Sequence, residues 1–143
     1  MTIAFDADVL VYAAAPAHPL GARVAPLFAP PPDDGPVGVG SLLLLSEVLA
    51  KPFRLGSDSD EALTLISYLG RLDLLPVDAP TARLSLALAV KYGLRAAGAT
   101  HLATAVAFGA DRFLTNNRKD FPRSITELDV VYPDDLPDLT SPS

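Results

Sequence analysis

Thr2-Ile3-Ala4-Phe5-Asp6-Ala7-Asp8-Val9-Leu10-Val11-Tyr12-Ala13 opens as a short buried strand, stops at an acid, and continues as an apolar helical turn over Val9 to Ala15. Pro16 and Pro19 close that turn, and a helix resumes over Ala22 to Phe28. Ala29-Pro30-Pro31-Pro32-Asp33-Asp34-Gly35-Pro36 is a loop, because three consecutive prolines fit neither a helix interior nor a central strand. The alternation then repeats. Val37 to Val39 reads as a second strand, and Ser41 caps a helix that ends at Leu49, before Pro52. Ser57-Asp58-Ser59-Asp60-Glu61 starts a helix that Gly70 ends, and Leu74-Leu75-Pro76-Val77 is a strand whose proline marks an edge or a strand end. Helices follow over Pro80 to Tyr92 and Ala97 to Phe108, closed by Gly93 and Gly109. Strands are expected at Arg112 to Thr115 and Asp129 to Tyr132. Strands alternating with helices, with no hairpin signal, imply an α/β fold with a parallel sheet covered by helices on both faces. Ligand sites in such sheets lie outside the carboxyl ends of the strands, where Asp6 and Asp8 stand.

The chain of 143 residues is one domain in length, half apolar and one-fifth charged, which argues for a packed core and against disorder. It has no cysteine, so disulfides, thiolate zinc sites, iron–sulfur clusters and cysteine nucleophiles are excluded. No stretch approaches the apolar length of a membrane span, and Asp6 and Asp8 precede the first apolar run where a signal peptide needs bases; the expectation is a cytoplasmic protein. The net charge of −6 disfavours general coating of nucleic acid. Its distribution is uneven. Residues 91 to 123 carry six bases (Lys91, Arg95, Arg112, Arg118, Lys119, Arg123) and two acids, while 124 to 143 carry five acids and no base. The basic stretch can accept a polyanion if its members converge.

Four acids are candidates for chemistry. Asp6 and Asp8 are close enough that both stay charged only beside a cation, which makes Mg²⁺ or Mn²⁺ the natural partner; the competing role is a helix cap. Glu47 is the lone acid in the apolar run Ser41 to Leu49 and is expected to be mostly buried against a partner, a metal or an arginine. Asp120 follows the strand ending at Thr115; the polar run Thr115-Asn116-Asn117 before it suits a metal-bound water or a phosphate, the competing role of the asparagines being an Asx turn. His101, in a helix of small residues, reads as a packed, hydrogen-bonded group, and His18 as loop surface. There is no serine-triad spacing and no phosphate-cradling glycine loop.

Four segments together resemble the PIN-domain family, especially VapC-type toxins of bacterial toxin–antitoxin pairs. They are Phe5 to Ala13, Leu45-Ser46-Glu47-Val48, Gly93 to Ala105, and Gly109 to Phe121. The resemblance implies a three-layer α/β/α sandwich, here over residues 1 to 133; the Pro/Asp/Ser composition of 134 to 143 reads as a flexible tail. The resemblance also implies Mg²⁺- or Mn²⁺-dependent RNA cleavage by a metal-bound water, an antitoxin partner and a homodimer. Asp6 and Glu47 match the first two family acids and would be the metal ligands. The third position holds Gly98 and the fourth Asn117, so two of four acids are missing and metal binding is expected to be weak, with activity reduced or absent. Asp8 and Asp120 compensate if they point inward, in which case Asp6, Asp8, Glu47 and Asp120, with the Asn117 carbonyl, serve an active nuclease. Another outcome is a non-enzymatic module that binds RNA or protein. Phe5-Asp6-Ala7-Asp8-Val9 also resembles the aspartyl-nucleophile motif of haloacid-dehalogenase-type phosphatases, which would need a late acidic pair at strand ends; Asp134-Asp135 lies in a proline-rich stretch instead.

Overall fold

The computed structural model describes residues 1–15 and 17–137. Five strands, β1 (Ile3–Phe5), β2 (Gly38–Ser41), β3 (Leu72–Leu75), β4 (Arg112–Leu114) and β5 (Asp129–Val131), form one sheet in the order β3-β2-β1-β4-β5. Every pairing is parallel, as the alternation of elements implied. Six helices cover it: α1 (Ala7–Ala13), α2 (Pro19–Val24), α3 (Leu44–Leu55), α4 (Asp60–Leu69), α5 (Ala79–Tyr92) and α6 (Ala96–Phe108).

The two-residue period of the strands sorts side chains into two cores. Ala4, Val39, Phe113 and Val130 pack with Leu88, Leu94, Leu102 and Phe121. Phe5, Leu72 and Leu114 pack with Val9, Leu10, Val24, Leu44, Val48 and Leu65. The result is the α/β/α sandwich, with α1 to α4 on one face and α5 with α6 on the other. Gly93 (φ +67°) and Gly109 (φ +82°) end α5 and α6 in the left-handed conformation glycine tolerates.

Several local expectations are corrected. α3 does not stop at Leu49 but runs through Pro52 to Leu55, because Pro52 is buried on the same face as Leu44 and Val48, and that packing outweighs one lost backbone bond. Ser41 ends β2, and its hydroxyl accepts the Leu43 amide at 3.1 Å, so it shapes the entry to α3 without being its N-cap. Pro19 opens α2 rather than closing α1, with His18 Nδ1 accepting the Leu20 amide at 3.1 Å. His18 also stacks on Tyr12 and is more than loop surface. Residues 25–28 tighten into a 3₁₀ turn. Pro16 lies outside the described residues. Of the segment expected to be a tail, Pro133–Asp135 forms a 3₁₀ turn and Leu136 is buried in the core; residues 138–143 lie outside the described residues. Among the described residues no helix is long and apolar enough to cross a membrane.

Candidate functional site

The chain leaves β1 for β2 on one side and returns to β4 on the other, so the crevice of the sheet opens at the carboxyl ends of β1 and β4. Asp6 and Thr115 stand there, held together by the Asp6 amide on the Leu114 carbonyl at 3.0 Å. Asp6 is buried and caps α1: Oδ1 accepts the Ala7 amide at 2.8 Å and Oδ2 the Thr115 hydroxyl at 2.7 Å. Burial pushes its carboxyl up, against the opposing pull of the Thr115 hydroxyl and of His101.

Asp8 sits beside it. Its Oδ2 accepts the Asn116 amide at 3.0 Å, while Oδ1 is buried with no hydrogen-bond partner. Burial, then the charge of Asp6, push the Asp8 carboxyl up to about 7. Asp8 therefore points inward.

Glu47 is corrected from mostly buried to part-exposed. The core face of α3 carries Leu44, Val48 and Pro52, and Glu47 falls just off it, with 30% of its side chain exposed. The side chain that meets it is not an arginine but a histidine: Oε2 accepts from Nε2 of His101 at 2.7 Å. His101 is a buried, bonded group as expected, and its Nδ1 has no partner. Its placement within electrostatic reach of Asp6 brings Asp6, Glu47 and His101 into one site.

The remaining two positions are built differently. The ring of Phe121 lies 3.1 Å from where a Cβ on Gly98 would stand. Phe121 itself is 1% exposed and edge-on to Phe113. Asn117 folds onto Asp120, its amide nitrogen donating to Asp120 Oδ2 at 3.0 Å and its side-chain carbonyl accepting the Asp120 amide, three residues on, at 3.2 Å. Asp120 is thereby committed to Asn117. Among the described residues no group of three or more His, Asp or Glu side chains is arranged to hold a metal ion.

Sequence reasoning missed two participants: Phe121 meets Gly98 only through the tertiary fold, and Tyr132 donates to the Phe121 carbonyl at 2.7 Å to hold that loop. Thr115, singled out in the sequence at the end of its strand, reaches Asp6 through its hydroxyl. The basic stretch does not present a free cationic edge. Lys91 pairs with Glu127, Arg118 with Asp134 and Arg123 with Asp135, while Arg95, Arg112 and Lys119 make no ion pair among the described residues. The same pairs occupy Asp134 and Asp135, the acids weighed for a phosphatase role.

Two solved structures share this architecture. A chain of a toxin–antitoxin complex from Klebsiella pneumoniae aligns with a TM-score of 0.70 at 24% identity, over 93% of this chain and 98% of that one. A chain of VapBC2 from Rickettsia felis, crystallised with a promoter DNA fragment, aligns with a TM-score of 0.70 at 19% identity, over 92% and 98%. No curated protein matches the sequence. The model of the PIN domain family matches residues 3–124, the span that contains β1 to β4 and each of the side chains at the crevice, and the chain belongs to that family.

Proposed function

We propose that this PIN domain protein is a VapC-type relative whose crevice no longer holds a catalytic divalent ion, and that it works by binding RNA and a protein partner in the cytoplasm. The observation that carries this is Phe121 packed against Gly98, where the resemblance expects a carboxylate. The other donors fit an ion poorly. Asp6 has a hydrogen bond on each oxygen, Glu47 is taken up with His101, and Asn117 and Asp120 are turned onto each other. A hard divalent ion takes six or more oxygen ligands, with waters making up a deficit only where carboxylates anchor it. We derive no metal-dependent step from this donor set. In it Asp6 serves α1 as a cap, and Glu47 is the hydrogen-bond partner of a buried histidine.

The partner side of the proposal rests on an apolar groove between α3 and α4, of about 250 Å³, lined by Leu45, Leu49, Ile66, Leu69 and Leu74. Phe53 and Leu63 lie exposed on the same two helices, and Leu42 lies exposed just before α3. Exposed apolar surface of this kind marks an interaction site, and an amphipathic helix of an antitoxin-type protein suits it. Leu86 and Val90, one turn apart and exposed on α5, suit a second copy of the chain.

Calorimetric titration with Mn²⁺ and Mg²⁺, beside an RNA cleavage assay, tests the reading. No saturable binding below millimolar metal and no cleavage are expected. One observation favours an active nuclease instead: the partnerless Oδ1 of Asp8 beside Asp6. That second reading requires metal-dependent cleavage that Glu47→Ala abolishes.

A further inference from the structure

The basic stretch of the sequence and the acidic stretch that follows it meet at one place in the fold. Arg118 Nη2 donates to Asp134 Oδ2 at 2.5 Å, and Arg123 Nη2 donates to both Asp135 oxygens, at 2.7 and 2.8 Å. Both guanidinium groups lie over the ring of Tyr132, 4.4 and 4.6 Å from its centroid. Tyr132 is buried and anchored through its hydroxyl on Phe121, so it is a fixed platform for two otherwise flexible side chains.

The platform adjoins the crevice. Arg118 directly follows Asn116 and Asn117, whose amides bond Asp8 and Thr115. Lys119 stands next to it, exposed and without an ion pair among the described residues. The two ion pairs are themselves accessible, with Arg118 49%, Arg123 57% and Asp134 59% exposed. Ion pairs in that setting are weak and exchange readily with other anions. A guanidinium fork accepts carboxylate and phosphodiester oxygens alike, and its flat face can stack on an unpaired base.

We infer that Asp134 and Asp135 stand in for RNA phosphates: Arg118 and Arg123, aligned by Tyr132, form a binding site for single-stranded RNA backbone that the chain's own 3₁₀ turn covers. The turn does not need these charges to stay in place. Pro133 and Leu136 are buried beside it, and the Tyr132 amide needs only an oxygen from residue 135, which asparagine also offers. Arg23 also holds the turn, through the Asp134 and Leu136 carbonyls, which neither substitution of residues 134 and 135 by asparagine removes. The inference rests on the binding role proposed above but is independent of metal, so it is tested in chelator, where cleavage cannot contribute.

The experiment is fluorescence anisotropy of a mixed-sequence single-stranded RNA dodecamer, titrated with the full chain in EDTA across a salt series. Asp134→Asn/Asp135→Asn is expected to tighten binding about tenfold at low salt. It should also steepen the log–log salt slope by about 1.4, the value for two added phosphate contacts on a single strand. Asp134→Asn alone leaves the Tyr132 cap untouched and is expected to give about a threefold gain. Adding Arg118→Gln and Arg123→Gln to the double variant should return affinity to the native level or below. Three results would overturn the inference: no gain in either acid variant, a gain that survives loss of the arginines, or a glutamate dodecamer that competes as well as unlabelled RNA. Metal-dependent cleavage by the native chain would overturn the proposed loss of metal chemistry and leave this inference standing.

Discussion

In the proposed reading Gly98 and Asn117 limit what the crevice can hold, and each can be changed to an acid by one substitution. Gly98→Asp/Asn117→Asp restores two carboxylates beside Asp6 and Glu47. Phe121 must shift by a few tenths of an ångström to admit the new Cβ. The double variant is expected to bind Mn²⁺ with a Kd at least tenfold below that of the native chain in calorimetry, at some loss of thermal stability. Asp8 yields a pH prediction. Its carboxyl is raised from 3.8 to about 7 in the folded chain, so the folded state holds a proton that the unfolded chain releases between those values. The stability this group contributes is full below about pH 4 and is lost as pH rises through about 7. Asp8→Asn keeps an acceptor for the Asn116 amide and cannot ionise. Its melting temperature should exceed the native value by roughly 3–6 °C at about pH 8, the shift expected of one to two kcal/mol, with the difference vanishing near pH 4.

At the scale of elements, the loop from Asn116 to Arg123 is fixed from both sides, by Phe121 in the core and by the Tyr132 hydroxyl on its carbonyl. Phe121→Ala is expected to cost about 3–5 kcal/mol in denaturant unfolding. Tyr132→Phe, which leaves a buried carbonyl unpaired, should cost about 1–3 kcal/mol. The α3–α4 groove belongs to the same scale. Ile66→Glu, on its exposed wall, should weaken capture of a co-expressed antitoxin-type partner by about ten- to thirtyfold and leave the melting temperature nearly unchanged. The helices were readable where caps, prolines and glycines bound them: Ser59 before α4, Pro80 in the first turn of α5, Gly93 and Gly109 after α5 and α6. α3 was not, because the rule that proline ends a helix is local, and Pro52 is kept by burial that only the fold supplies.

For the whole molecule, the parallel sheet and its two helical layers followed from the order of elements, since parallel strands need crossovers and crossovers place helices on the faces. The location of the crevice followed too, because Asp6 ends the strand at which the chain reverses its direction across the sheet. The charge balance did not follow. Six bases in one stretch suggested an open cationic edge, and the fold lays the acids of the next stretch across half of them. Sequence segments show where charges are made; which charges cancel is set by contacts between residues 12 to 36 positions apart. The histidine at position 101 illustrates the opposite case, since a helix of small residues can host it only by giving it a partner, and Glu47 is that partner.

Asp6 carries a consequence for how experiments on this chain are designed. One of its oxygens terminates α1 and the other ties β1 to β4, so the same carboxylate is a structural joint and a candidate reactive group. Asp6→Ala removes both functions at once, at a cost of about 0.5–2 kcal/mol for the cap alone, and a dead protein would then report a loosened helix as readily as lost chemistry. Asp6→Asn keeps an oxygen for one donor and gives up the charge. Any phenotype the two variants share measures the charge, and any phenotype that separates them measures the joint.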